Sequence, residues 1–340
     1  MAICHIPASR RSKDNPPPTA QTLSRALFKK SGIIMRILTL ATASLATILT
    51  GCGGSSSSGD RAWESSRSST ARTIEIPVKA VAGTTDISCD ATLQSLGTAG
   101  TEVSLVDFRF FVHDLAVVTD EGQVIPVALD ADAESQNADV ALLDFRDKDE
   151  NCAGEGANTN FNDTITIKVD VDSELVISDL QFTLGVPFEL NHLDQSLAEE
   201  PLRNPGKASG MAWSWRGGYK FTGLDVKPVS DDISKNWHIH IGSTGCTADP
   251  AEGEEPVPCP NPNRATIKLP LEGANLEDIA IQLDYAKLVE GSNLSQDEGG
   301  ASGCMSGFSD PECPAIFKRL GLPWGDTEAV EQSVFSIVPK

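Results

Sequence analysis

Between Val103 and Val118 the chain runs through Leu105, Val106, Phe108, Phe110, Phe111, Val112, Leu115 and Val117, with only isolated polar residues between them. β-Branched and aromatic side chains lose rotamer freedom in a helix and fit the pleated surface of a sheet. The run therefore predicts one long or two short strands, and a strand this apolar must be covered by other strands. Glu121-Gly122 supplies a turn, and Val124–Leu129 pairs back as a hairpin. Thr73–Val81 alternates apolar and polar residues, and strands are also expected at Ala141–Phe145, Thr164–Val171, Val176–Leu184, Lys220–Val226, Ala265–Leu269 and Ile279–Leu283. Short strands divided by Gly, Pro, Asn and Asp indicate an all-β fold. The expectation is a single antiparallel β-sandwich-like domain with long disulfide-tied loops and few short helices. Pro314–Leu320 is one such helix, opened by proline and closed by Gly321.

The ends of the chain set its compartment. Residues 1–52 read as a lipoprotein signal region, with Met35 as an alternative start. From Met35-Arg36 an apolar stretch leads to Leu49-Thr50-Gly51-Cys52. A positive start, an apolar run and small residues make a secretory signal, and the run is too short for a stable membrane span. Its ending resembles a bacterial lipobox, which implies cleavage before Cys52 and lipidation of its sulfur. Residues 53–71 begin as a flexible Gly/Ser tether, and residues 72–340 form the folded domain. The expected location is the periplasm or cell surface, with the lipid anchor as the sole membrane attachment.

Six cysteines follow the lipobox: Cys89, Cys152, Cys246, Cys259, Cys304 and Cys313. An even number in an exported chain implies disulfides. Sequence proximity favours Cys246–Cys259 and Cys304–Cys313, which leaves Cys89 and Cys152, although spacing alone does not settle the pairing. No C-x-x-C is present, so a zinc ribbon or c-type haem attachment is unsupported.

The formal net charge is −21, and residues 1–52 hold seven Lys/Arg and one Asp, so the remainder carries −27. Such a surface disfavours nucleic acid and anionic lipid as partners.

The chemistry-bearing residues concentrate between Met211 and Cys246. Trp213, Trp215, Tyr219, Trp237, His238 and His240 all fall there. In a strand over Trp237–Ile241, His238 and His240 point to one face, and Trp237, Ile239 and Ile241 to the other. Paired imidazoles suit copper, zinc or nickel. Gly242-Ser243-Thr244-Gly245 is not a nucleophile elbow, because Ser243 follows its glycine directly. No carboxylate pair or nucleophile stands out, so the chain is expected not to be an enzyme.

Several blocks occur together in order: Phe108-Arg-Phe-Phe-Val-His113-Asp114, Ala141-Leu-Leu-Asp144-Phe145, Phe182-Thr-Leu-Gly185-Val-Pro187-Phe188-Glu-Leu-Asn191-His192, Met211-Ala-Trp213-Ser-Trp215, Gly218-Tyr219-Lys-Phe221, His240-Ile-Gly-Ser-Thr-Gly245-Cys246, Pro262-Asn263-Arg264 and Gly303-Cys304-Met305-Ser306. Over residues 72–340 the chain resembles the MbnP family of exported copper-binding proteins. That resemblance implies copper as the cofactor and a dihaem MauG/cytochrome c peroxidase-like partner of the MbnH type. The partner would convert Trp215 to kynurenine, with Trp213 and Tyr219 as motif neighbours. The resemblance also implies His113, His192 and His240 as copper ligands. His238 departs from the pattern and is either a fourth ligand or a neighbour of the site. The competing readings are a metal-free structural or adhesive surface lipoprotein and a copper-dependent oxidase.

Overall fold

The computed structural model describes residues 71–170, 175–230 and 232–340. The signal region, Cys52 and nearly all of the tether lie outside the described residues. The folded part opens with β1 (Arg72–Ala82), the short β2 (Thr85–Asp86) and β3 (Thr92–Leu96), followed by the long β4 (Thr101–Thr119). Next come β5 (Val124–Pro126), β6 (Ala128–Leu129), β7 (Val140–Asp144), β8 (Thr164–Val169) and β9 (Ile177–Leu184). A small ribbon of β10 (Ala212–Ser214) and β11 (Gly218–Tyr219) precedes β12 (Thr222–Pro228) and β13 (Trp237–Ile239). The remaining strands are β14 (Ala265–Pro270), β15 (Ile279–Asp284), β16 (Gly303–Cys304) and β17 (Phe335–Pro339). The protein is mostly β, with short helical turns such as Cys313–Arg319.

β4 is the spine of the larger sheet. Its first half pairs with β12 and its second half with β9. Both lie on one edge, since Phe111 donates its N–H to the Phe221 carbonyl and accepts from the Gly185 N–H. β3, β7 and β5 also pair with β4, and β13 and β16 extend the sheet beyond β12. The smaller sheet runs β17-β15-β1-β8-β6, with β2 on β1. The core lies between the two sheets. Phe108 meets Tyr285 edge-on at 5.7 Å, Phe110 meets Phe335 at 6.0 Å, and Phe182 meets Phe335 at 5.4 Å. Edge-to-face pairs of this kind add about 0.5–1.5 kcal/mol each beyond the area they bury.

Two details depart from a simple antiparallel sandwich. β1–β15 and β13–β16 are parallel pairs. The expected hairpin strand Val124–Leu129 divides: Val124–Pro126 pairs with β4, and Ala128–Leu129 crosses to β8 in the other sheet. Pro126 has no N–H to donate, so a continuous ladder ends there. Three disulfides, Cys89–Cys152, Cys246–Cys259 and Cys304–Cys313, tie the long loops. Cys246–Cys259 and Cys304–Cys313 are the pairings that proximity favoured, and Cys89–Cys152 is the pair it left.

Candidate functional site

β12 and β13 pair antiparallel with Asp225 opposite His238, Leu224 opposite Ile239 and Val226 opposite Trp237. The alternation expected for the His-x-His segment holds. Trp237, Ile239 and Ile241 are buried in the core, and the His238 and His240 rings share the other face with centroids 5.0 Å apart. Cross-strand neighbours on one face are natural partners, and Asp225 completes the group. Its Oδ1 accepts from His240 Nε2 at 2.8 Å and stands 3.0 Å from His238 Nδ1. The second contact is close but not directed as a hydrogen bond, so the buried Nδ1 of His238 has no hydrogen-bond partner.

Burial pushes the Asp225 carboxyl up, but the contacts with His238 and His240 and the electrostatic attraction of those imidazoles outweigh it. The carboxyl is held well below the usual carboxylate range. Asp107 lies directly opposite Asp225 on β4, a placement in which two bare carboxylates would repel. The repulsion is relieved because Arg109 binds Asp107 through Nε at 2.7 Å and Nη2 at 2.5 Å. Arg146 adds a 3.6 Å contact to Asp107 and is itself clamped on the buried Asp144. A paired, hydrogen-bonded network of this kind is the form in which buried charge is tolerated.

The group Asp225, His238, His240 brings one ligand atom from each residue within 4.8 Å of the others. Ligands around one four-coordinate ion at about 2.0–2.2 Å stand roughly 3 Å apart. The Asp225 contacts match that spacing, and the unpartnered His238 nitrogen is a donor such an ion would use. These residues therefore fit a metal ion. Asp225 belongs to no motif in the sequence; only the β12–β13 register joins it to the histidines.

His113 and His192 stand in other surroundings. Among the described residues, no group of three mutually close ligand atoms contains His113, and the group containing His192 is not the one containing His240. His113 is buried on β4, with Nδ1 3.0 Å from Asp114 but no hydrogen bond at either ring nitrogen. Burial pushes its imidazole below the ordinary range; Arg264 acts the same way, while Asp114 opposes them. His192 lies near Cys246 and Cys259, whose sulfurs are joined in a disulfide and are not thiolate ligands. Its Nδ1 is 3.0 Å from the Trp215 carbonyl and its Nε2 is 3.1 Å from the Asn191 amide nitrogen. Nδ1 therefore donates to Trp215 and Nε2 accepts from Asn191.

That contact builds the tryptophan turn. The buried Asn191 Oδ1 accepts the Tyr219 N–H at 3.0 Å, and its side chain fills the space where a Cβ on Gly218 would sit. Gly218 has φ +74°, so glycine serves both the left-handed turn and the close approach. The Tyr219 hydroxyl donates to the Leu202 carbonyl at 2.6 Å. Trp215 is half-buried on this frame. Trp213 is 37% exposed, with its ring laid against Gly242, two residues beyond His240.

A profile of the MbnP family matches residues 71–306. The fold is also similar to the solved structure of MbnP from Methylosinus trichosporium, with a TM-score of 0.66 and 29% sequence identity over 79% of this chain and 99% of that one. No curated protein matches the chain. The matched residues include the long β4, the tryptophan turn and the Asp225–His238–His240 group, and on this match the chain belongs to the MbnP family.

Proposed function

We propose that this protein is an exported, lipid-anchored copper-handling protein that binds one copper ion through His238 and His240, with Asp225 beside them. The observation that carries the reading is the three-residue group on β12 and β13, with its unpartnered His238 nitrogen. Imidazole is a good ligand for copper, and Asp225 orients the rings and offsets the charge of the ion. Copper bound there would supply a cation that can be taken up and released. In this reading the chain is a carrier and not a catalyst. MbnP membership supports a methanobactin-system setting, and the apolar leader, the Cys52 lipobox and three disulfides support export.

The same reading makes the Trp213-x-Trp215 turn the substrate of a dihaem MauG-like partner of the MbnH type. Indole is readily oxidised, and both rings of the pair reach solvent. The resemblance names Trp215 as the residue converted to kynurenine; Trp213 is the more exposed of the two. Metal analysis of the purified protein tests the copper reading. One copper per chain is expected for the parent, and a His238→Ala/His240→Ala variant that keeps it would end the reading. Peptide mass spectrometry tests the second part. Trp215 should gain about four mass units, one oxygen added and one carbon lost, only with the partner and an oxidant present. The same gain on Trp213 would move the assignment to the exposed ring.

A further inference from the structure

Among the described residues, Cys246–Cys259 is the one disulfide whose sulfurs form a close group with a further ligand atom, the Nε2 of His192. We propose that this disulfide opens on reduction by a dithiol, and that Cys246, Cys259 and His192 then form a second metal site that takes a zinc ion. The Asp225–His238–His240 group shares none of these residues. His192 Nε2 stands 3.5 Å from the Cys259 sulfur. A tetrahedral zinc, with sulfur at about 2.3 Å and nitrogen at about 2.0–2.1 Å, sets two such ligands roughly 3.5 Å apart. The imidazole and one sulfur therefore already stand at ligand separation. The ring is also held in the tautomer that a metal needs. Its Nδ1 donates to the Trp215 carbonyl at 3.0 Å, so the lone pair lies on Nε2, on the side of the sulfur. A backbone carbonyl on the far nitrogen is a usual support of a metal-bound histidine. With the disulfide closed, the Asn191 amide donates to Nε2 from 3.1 Å. An ion would displace that one bond, while Asn191 Oδ1 keeps the Tyr219 N–H.

The chain keeps the two cysteines together without the S–S bond. Just outside them, Thr244 and Asn261 exchange both backbone hydrogen bonds, at 2.9 and 3.2 Å. Further in, the Ser243 hydroxyl donates to the Pro262 carbonyl at 3.0 Å and the Asn263 amide to the Gly242 carbonyl at 2.8 Å. Rotation of a cysteine side chain is enough to part the sulfurs to the roughly 3.8 Å that two thiolates on one zinc require. Burial sets which sulfur is attacked. Cys246 is half-buried beside a loop exposed over residues 251–255, whereas Cys259 is buried against His192. A thiolate of the dithiol attacks the Cys246 sulfur and forms a mixed disulfide, and the Cys259 sulfur leaves with the electron pair next to the imidazole. The second thiol of the reductant then closes its own disulfide and releases Cys246. Two electrons and two protons pass from the dithiol to the protein. Zinc binding sends the two thiol protons to water. Two thiolates and one imidazole are a known zinc donor set with the fourth position open. Cys304–Cys313 offers no such path, because both residues are fully buried.

Two measurements on the full folded domain test this. In the first, native protein is incubated with increasing dithiol, acid-quenched, denatured and alkylated, and the labelled cysteines are read by peptide mass spectrometry. Cys246 and Cys259 should open at a dithiol concentration at least tenfold below that needed for Cys304 and Cys313. Opening of Cys246–Cys259 only together with Cys304–Cys313 would overturn the selective reduction. In the second, the dithiol is removed without air and Co(II) is added as a coloured stand-in for zinc. The reduced parent should take one equivalent with a thiolate-to-cobalt charge-transfer band, and Zn(II) should bleach it. The oxidised parent should show no band. This band requires a thiolate, so Asp225, His238 and His240 cannot produce it. Cys246→Ser/Cys259→Ser should abolish the band, and His192→Ala should weaken Zn(II) binding to the reduced protein at least tenfold. A reduced parent without the band, or a band that survives in the double serine variant, would overturn the site whatever the histidine variant does. Parent-like zinc affinity in reduced His192→Ala would remove the imidazole from it.

Discussion

Asp225 faces His238 directly across the β12–β13 ladder, yet its shortest contact, 2.8 Å, is to His240 on the diagonal. One carboxylate oxygen therefore touches both imidazoles, and the charge of the site is set by Asp225. Asp225→Asn removes that charge while keeping the shape. The loss of a largely buried, charge-assisted hydrogen bond should cost about 2 kcal/mol of stability. Copper affinity should fall tenfold or more, as when an orienting partner of a ligand is removed. Because the folded carboxyl is held below its ordinary range, its stabilising contribution is present above about pH 3.9 and disappears as pH falls through lower values. Acid titration of the metal-free parent and variant checks this. The two curves should converge only in strongly acid solution, where the carboxyl is protonated in both states, and parallel curves would show that Asp225 is not the group responsible.

His192 is expected to act on the tryptophan turn and not on the metal. Both of its ring nitrogens are engaged, one by the Trp215 carbonyl and one by Asn191. His192→Ala should leave copper affinity within threefold of the parent and cost about 1–2 kcal/mol. It should also alter the emission of Trp215. Asn191→Ala should cost more, about 2–3 kcal/mol, because it also strands the buried Tyr219 N–H. A tenfold loss of copper affinity in His192→Ala would return His192 to the ligand set.

The face carrying His238 and His240 was legible from alternation alone, since strand geometry dictates which side chains share a side. The disulfides Cys246–Cys259 and Cys304–Cys313 were legible because short separations close easily. Asp225 was not, because its place depends on the register between strands joined by a loop. Nor was the placement of β16 beside the histidine strand, which follows from a parallel pairing with a segment some sixty residues further along. The small sheet was half legible. β15 was expected, but its edge partner Phe335–Pro339 carries no alternation strong enough to mark it.

Buried His113 gives a second pH dependence, with a different window. Its imidazole titrates below the ordinary range because burial disfavours the charged form. The unfolded chain thus takes up the proton first. Stability of the metal-free protein is full above about pH 6.5 and is lost as pH falls below that value. His113→Leu should flatten this part of the profile and leave the acid limb of Asp225 in place. Denaturant unfolding at pH 7.5, 6.0 and 5.0 measures it; an unchanged slope between pH 6.5 and 5 would assign the proton uptake elsewhere.

The disulfides differ in what they hold. Cys89–Cys152 spans 63 residues and Cys304–Cys313 spans 9. On chain entropy alone, removing the first should cost about 4 kcal/mol and the second about 3 kcal/mol. The shorter link anchors β16 beside the histidine strand, so Cys304→Ala/Cys313→Ala should also weaken copper binding. Cys89→Ala/Cys152→Ala should leave binding in the surviving folded fraction unchanged. Equal copper loss in both pairs would mean that global unfolding, and not the local anchor, accounts for it.

Gly303 is a position where the histidine face is intolerant of added volume. Its φ is +86°, in the left-handed region, and a Cβ there would lie 2.1 Å from the His238 carbonyl oxygen and 2.4 Å from its nitrogen. Those atoms belong to backbone, so no side chain can swing aside. An L-residue at this φ costs roughly 1–2 kcal/mol before any clash, and relief of the clash requires β16 to move away from β13. Gly303→Ala should therefore destabilise the domain by about 3 kcal/mol or more. It should also displace His238 from Asp225 and lower copper affinity. Gly273→Ala serves as the control: its φ is +85°, but nothing lies within 4 Å of the added Cβ. It carries the same backbone strain without the contact and should cost only about 1–2 kcal/mol, with copper affinity intact. Equal stability losses in the two variants would show that backbone strain alone, and not the approach of Gly303 to the His238 backbone, sets the requirement for glycine.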